Sequence, residues 1–221
     1  MKTTVKICGL SSPDHVDTAI NADADMVGLV FFDASPRNVT IDAGAALAEH
    51  ARGRAEIVAL SVDAGDDKLA AIVSALRPDM LQLHGRETPE RVAAISEQFG
   101  VPCMKAIGVG DASDLARVGD YRAVCDRVLL DAKPPKDASR PGGLGATFDW
   151  AILRDFNPGL TWMLSGGLNA DNVVAALAAT RAPGVDVSSG VESAPGQKDT
   201  SLIEAFVAAV RAHDAGKAAA A

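Results

Sequence analysis

The feature that most constrains this chain is an alternation, repeated eight times, between a short apolar run of strand length and a longer segment with helical spacing. The strand-like runs begin at residues 5–8, 26–31, 57–62, 80–83, 103–107, 127–130, 161–164 and 185–187. Between them, apolar residues recur at i, i+3 and i+4 over stretches such as 13–22, 43–51, 68–76, 89–99 and 172–179, and a last helix covers 202–212. A strand that returns through a helix pairs parallel to its neighbour, and helices then cover the sheet. Eight such units favour closure into a (β/α)8 barrel over an open, doubly wound sheet. An open sheet is expected to carry a nucleotide-binding glycine fingerprint after its first strand, and Gly9-Leu10-Ser11-Ser12 is not one.

Eight units fit into 221 residues only if the connections are short. No linker or shift in composition divides the chain, so one α/β domain of the TIM-barrel class is expected over 1–215, with the Ala-rich end 216–221 a flexible tail. Some helix ends are written locally. Ser12-Pro13 and Thr88-Pro89 each supply an N-cap followed by proline at the first helical position, and Gly100 follows the helix ending near Phe99. Thr200 or Ser201 is expected to cap the last helix. Aromatic residues are only 4% of the chain, so the core must be built from Ala, Val, Leu and Ile.

The formal net charge of −8 repels nucleic-acid phosphates and anionic membranes, and no Lys/Arg-rich run offsets it. Cys8, Cys103 and Cys125 are an odd number without ligand spacing, which points to a reducing compartment. The N-terminus lacks a long apolar core and no run approaches membrane-spanning length, so a cytoplasmic location is expected. An anionic small molecule remains compatible with this charge if backbone amides or a few basic residues receive it.

In a parallel barrel the site lies at the C-terminal ends of the strands. Those ends deliver Cys8-Gly9, the segment 33–37, His84-Gly85, Asp131, Gly166-Gly167 and Ser188-Ser189-Gly190. Cys8 reads either as a small buried hydrophobe or as a thiolate base or nucleophile. Asp131 reads as a turn cap or as a general acid facing a closed site. Arg37 is either a solvated loop residue or a bidentate partner for a substrate carboxylate. His84, on the inward face with Gln82, is a structural histidine or a site residue. Glycines at 166, 167 and 190, with Ser188 and Ser189, either make tight turns or form a phosphate site from backbone N–H groups.

Along nearly its whole length the sequence resembles phosphoribosylanthranilate isomerase. The segments that carry the resemblance are Lys6-Ile7-Cys8-Gly9-Leu10, Ala24-Asp25 through Gly28, and Phe32 through Arg37. They continue with Gln82-Leu83-His84-Gly85, Leu130-Asp131, Gly142-Gly143-Leu144-Gly145 with Phe148-Asp149-Trp150, and Leu164 through Leu168 with Asn172-Val173. The last is Asp186 through Glu192, then Gly196 and Lys198-Asp199. The resemblance implies an Amadori rearrangement with no metal or organic cofactor, Cys8 as general base and Asp131 as general acid. On it, Arg37 holds the carboxylate of a phosphorylated anthranilate–sugar substrate and the loops at Gly166, Gly167, Ser188, Ser189 and Gly190 its phosphate; His84 is a further candidate substrate contact, and the chain is expected to be a monomer or a homodimer. Two positions depart from the family pattern: Leu144 replaces a hydroxyl residue, and Ala170 stands where proline often opens the seventh helix.

Other readings are a phosphosugar epimerase, which needs metal-binding His and Asp on several strands, and indole-glycerol-phosphate synthase, which needs catalytic lysines at strand ends. A non-catalytic phosphate sensor on the same barrel would need neither Cys8 nor Asp131. Barrel closure also makes the first and last strands neighbours. A buried Lys6–Asp186 ion pair is therefore expected beneath Cys8, with Lys6 lowering the thiol pKa.

Overall fold

The computed structural model describes residues 2–133 and 147–219. Eight parallel strands close into a barrel: β1 (Thr4–Cys8), β2 (Met26–Phe31), β3 (Glu56–Ser61), β4 (Met80–Leu83), β5 (Cys103–Val109), β6 (Arg127–Ala132), β7 (Thr161–Leu164) and β8 (Gly184–Val187). Closure is made by β1 against β8, with Lys6 opposite Asp186. Outside lie α1 (Pro13–Asn21), α2 (Ile41–Ala51), α3 (Asp66–Leu76), α4 (Pro89–Phe99), α5 (Val118–Tyr121), α6 (Val173–Thr180) and α7 (Thr200–Ala219). A small antiparallel hairpin, β9 (Glu192–Ala194) and β10 (Gln197–Lys198), follows β8.

The local signals act as their chemistry requires. The hydroxyls of Ser12 and Thr88 accept the N–H of His15 and Arg91, with Pro13 and Pro89 at the first helical turn. Gly100 ends α4 at φ 62°, a left-handed position that costs glycine nothing. Three expectations change. The cap of α7 is Asp199 rather than Thr200 or Ser201; its carboxylate accepts the N–H of both Ser201 and Leu202, which one hydroxyl does less well. The same helix runs through the first part of the expected tail, to Ala219, because alanine is the best helix former. Helical cover also thins after β5 and β6. The first gap holds a 3-10 turn (Ala112–Arg117) and the single turn of α5, and after β6 the described residues hold only a 3-10 turn, Trp150–Leu153.

The main core lies between barrel and helices and is aliphatic, including Val5, Ile7, Leu29, Ile57, Leu81, Leu130 and Val185, all essentially fully buried. Each such side chain stabilises the fold by about 1.5–3 kcal/mol. Inside the barrel a second cluster holds Met26, Met80, Met104 and Met163 with Val58, Ala106 and Leu129. Flexible thioether chains fill the irregular interior that a chain poor in aromatics cannot plug with rings. Arg127 closes the floor, its guanidinium 3.0 Å from the Met26 sulfur.

At the opposite end from the site, a repeated device sets the register. Asp25, Asp79 and Asp126 each precede an even-numbered strand. Their carboxylates accept the N–H of Val5, Ile57 and Cys103 at 2.8, 2.8 and 2.9 Å. Their own N–H groups donate back to the carbonyls of the same three residues, each at 2.9 Å. Each aspartate thus ties an odd strand to the next even one by two bonds, one of them charge-assisted.

Candidate active site

Strand alternation carries Lys6 and Cys8 into the barrel from β1, Gly28 and Val30 from β2, and Asp186 from β8. Lys6 Nζ donates to Asp186 Oδ1 at 2.7 Å, and Ser165 Oγ donates to Asp186 Oδ2 at 3.2 Å. The ion pair expected from the sequence is therefore present and buried, with side chains 0% and 5% exposed. Cys8 lies above it, packed on Val30 and Leu60. Room for both groups depends on Gly28, where a Cβ would stand 2.9 Å from the Cys8 sulfur and 3.0 Å from Lys6 Nζ.

Lys6 does pull the Cys8 thiol down, but it does not set the net direction. Burial pushes the thiol above its ordinary pKa; Lys6 pulls it down, Asp186 pushes it further up, and the net direction is upward. Desolvation disfavours the thiolate more than one partly neutralised ammonium favours it. Lys6 itself is held above its usual range despite the opposing cost of burial, by Asp186 and Cys8.

Asp131 lies within β6 rather than after it, because the strand runs two residues further than the apolar run suggests. Its Oδ1 accepts the N–H of Ala132 at 3.0 Å, and its Oδ2 stands 3.2 Å from His84 Nε2. The other ring nitrogen of His84 is 2.9 Å from Gln82 Nε2. Gln82, His84 and Asp131 thus form one chain of contacts across β4 and β6. The backbone behind His84 is clamped by Lys105, whose Nζ donates to the carbonyls of Leu83 and Gly85 and to Glu87. Lys105 is engaged in that clamp and not presented to the mouth, unlike the strand-end lysines a synthase would need.

Arg37 is not a solvated loop residue. It is buried, and its guanidinium meets Glu192 in a fork, Nε to Oε1 at 2.6 Å and Nη2 to Oε2 at 2.7 Å. The same carboxylate receives Lys198 Nζ at 2.8 Å. Burial alone would raise the Glu192 pKa, but Arg37 and Lys198 outweigh it and hold the carboxyl below its ordinary value. Lys198 also donates to the carbonyl of Ser188, whose hydroxyl donates to the carbonyl of Cys8. The hairpin after β8 therefore ties Arg37 and the Cys8 end of β1 together. Glu192 and Lys198 stand in the matched sequence segments, but nothing local to them reveals that Glu192 grips a side chain 155 residues earlier in the chain, with Lys198 on the same carboxylate.

The two glycine turns lie side by side. Gly166 and Gly167 adopt φ 92° and 61°. A Cβ on Gly190 would fall 1.8 Å from the Leu168 carbonyl oxygen, so this approach of loop eight to loop seven is open only to glycine. Gly166, Gly167, Ser188, Ser189 and Gly190 remain partly exposed at the rim. The segment Gly142-Gly143-Leu144-Gly145 lies outside the described residues. Among the described residues no group of three or more His, Cys, Asp or Glu side chains is arranged to hold a metal ion, and no helix is long and apolar enough to cross a membrane.

Fold and site together define a (β/α)8-barrel protein with a thiol and a carboxyl at its mouth and paired glycine turns after its last two barrel strands. The family model described as N-(5'phosphoribosyl)anthranilate (PRA) isomerase matches residues 5–209, and the chain belongs to that family. Relatives named N-(5'-phosphoribosyl)anthranilate isomerase include one from Rhodopseudomonas palustris (strain BisA53), 59% identical over 96% of this chain and 97% of its own. Another, from Nitrobacter hamburgensis, is 57% identical over 96% and 94%. Among solved structures, the phosphoribosyl anthranilate isomerase of Thermotoga maritima superposes with a TM-score of 0.86 at 33% identity, covering 95% of this chain and 99% of that one. A second isomerase structure, solved with reduced 1-(o-carboxyphenylamino)-1-deoxyribulose 5-phosphate, gives 0.81 at 31% identity over 95% and 99%.

Proposed function

We propose that this chain catalyses the Amadori rearrangement of N-(5′-phosphoribosyl)anthranilate to 1-(2-carboxyphenylamino)-1-deoxyribulose 5-phosphate, a step of tryptophan biosynthesis. The observation that carries this reading is the presence of Cys8 and Asp131 at one barrel mouth, each buried but for a few per cent of its surface, in a chain of this family. A related isomerase binds the reduced product, which supports the same substrate class here.

Asp131 gives a proton to the ribose ring oxygen as the C1′–O bond breaks, and the anthranilate nitrogen takes up the double bond as a protonated Schiff base. Cys8, as thiolate, then removes the C2′ proton, and the electrons flow to the nitrogen to form an enolamine. Ketonisation places a proton on C1′ and releases one from the 2′-hydroxyl, so no net proton is consumed. Burial holds the Cys8 thiol above its ordinary pKa, so little of it is thiolate before the substrate arrives. The positive Schiff base beside it favours the thiolate and acidifies the C2′ proton, so the base is populated when it is needed. Arg37, held by Glu192, meets the anthranilate carboxylate. The turns at Gly166, Gly167, Ser188, Ser189 and Gly190 receive the phosphate through backbone N–H groups, which an acidic protein can offer without lysines.

The test follows the fluorescence of phosphoribosylanthranilate generated in situ, with wild type, Cys8→Ser and Asp131→Asn. Rapid loss of signal with wild type, reduced at least about 100-fold in each variant, is the expected result. Unchanged turnover in either variant would remove that residue from its role. No turnover by folded wild type would favour a phosphate sensor on the same barrel.

A further inference from the structure

Gln82 is fully buried in the barrel, yet its Oε1 has no hydrogen-bond partner among the described residues. Leaving a buried acceptor unpaired costs about 1–3 kcal/mol, and a leucine of similar size would avoid that cost. Packing therefore does not account for this amide. Its one side-chain polar contact among the described residues is the 2.9 Å approach of Nε2 to His84 Nδ1. An amide nitrogen can only donate, so Nδ1 accepts and a neutral ring carries its proton on Nε2. That proton points at Asp131 Oδ2, 3.2 Å away.

We infer that Gln82 locks His84 in the Nε2–H tautomer, making His84 a neutral donor that stabilises the Asp131 carboxylate as the acid gives up its proton. This rests on the acid role proposed for Asp131. His84 then acts through Asp131 and not on the substrate: it is a positioning residue, with Gln82 behind it. The proton balance is simple. Asp131 enters protonated and passes its proton to the ring oxygen; the oxygen facing His84 accepts from Nε2–H throughout, and that bond strengthens as charge develops. The imidazole keeps its own proton, and Asp131 is reprotonated before the next turnover.

Among the described residues, charged groups around this pair are engaged elsewhere. Lys105 is paired with Glu87 behind the end of β4, and Lys133 with Asp114 beyond β6. Lys6 and Asp186 are paired beneath Cys8 on β1. Donation from a neutral ring favours the charged form of a carboxylate, so loss of the donor is expected to weaken the acid. Because the acid must be protonated to act, the activity lost at high pH reports this directly.

In His84→Leu, kcat is expected to fall about tenfold or more with KM nearly unchanged, and the alkaline limb of the kcat profile to move up by about one pH unit. His84→Gln places an amide donor near the position of Nε2 and is expected to restore part of kcat and most of the shift. A purely structural histidine would lower activity without moving the limb in this direction. Independently of turnover, ¹⁵N NMR of the wild-type imidazoles, with His84 assigned by its loss in the leucine variant, is expected to show the neutral Nε2–H tautomer. An Nδ1–H tautomer, or an unmoved alkaline limb in folded His84→Leu, would overturn the inference. Full activity of Asp131→Asn would instead sink the acid assignment and leave the tautomer result intact.

Discussion

Replacing Lys6 by methionine removes one member of a buried pair and leaves its carboxylate behind. Asp186 is 5% exposed at its side chain. Without Lys6 it keeps, among the described residues, only the Ser165 hydroxyl, at 3.2 Å, as a side-chain donor. Breaking a pair so fully removed from water costs about 3–5 kcal/mol, a large share of the about 5–15 kcal/mol that holds a typical domain. At a urea slope of about 2 kcal/mol per molar, the unfolding midpoint should fall by about 1.5–2.5 M. Because Lys6 is held above its ordinary pKa, its contribution is full below the unfolded lysine value, about 10.4, and fades as pH rises through the higher folded value. The destabilisation should thus be constant from about pH 6 to 9 and shrink only in strong alkali. The double variant Lys6→Met, Asp186→Leu should recover much of the loss, since no charge is then stranded. Kinetics supply a second readout. Lys6 is the strongest influence pulling the Cys8 thiol down, so its removal should move the acid limb of the rate profile to higher pH. A stability loss under about 1 kcal/mol together with an unmoved acid limb would refute the reasoning.

Three further outcomes are expected. Glu192→Gln removes the buried carboxylate that Arg37 and Lys198 share, which should cost about 3–5 kcal/mol at neutral pH and raise KM. Since Glu192 is held below its ordinary pKa, this contribution is present above the unfolded carboxyl value and lost as pH falls through the folded one, so urea curves of variant and wild type should converge in acid. Gly28→Ala places a methyl 2.9 Å from the Cys8 sulfur, and should lower kcat far more than its overpacking cost of about 1–3 kcal/mol lowers stability; steady-state kinetics with a thermal melt compares the two. Asp79→Ala removes the carboxylate that accepts from Ile57, far from the mouth, and should cost about 1.5–3 kcal/mol by urea unfolding while leaving kcat intact.

Periodicity carried most of the barrel. Apolar runs of strand length separated by helical spacing bury themselves in a helix-covered parallel sheet, eight units and the lack of a nucleotide-binding fingerprint favour its closure, and the eight strands fall where those runs lie. Proline and hydroxyl pairs such as Ser12-Pro13 act within one turn of chain, so their effect was legible too. The same holds for Lys6 facing Asp186, because alternation along each strand and closure of β1 on β8 leave them little choice. Only the tertiary structure decided that Arg37 is gripped by Glu192, whose carboxylate Lys198 shares, that His84 reaches Asp131 two strands away, and that burial outweighs Lys6 at Cys8. It also revealed that Asp25, Asp79 and Asp126 clamp neighbouring strands. Local pattern specifies which face of an element a residue occupies. Partners from distant strands, and the balance between desolvation and charge, depend on how those faces stack once the ring is closed.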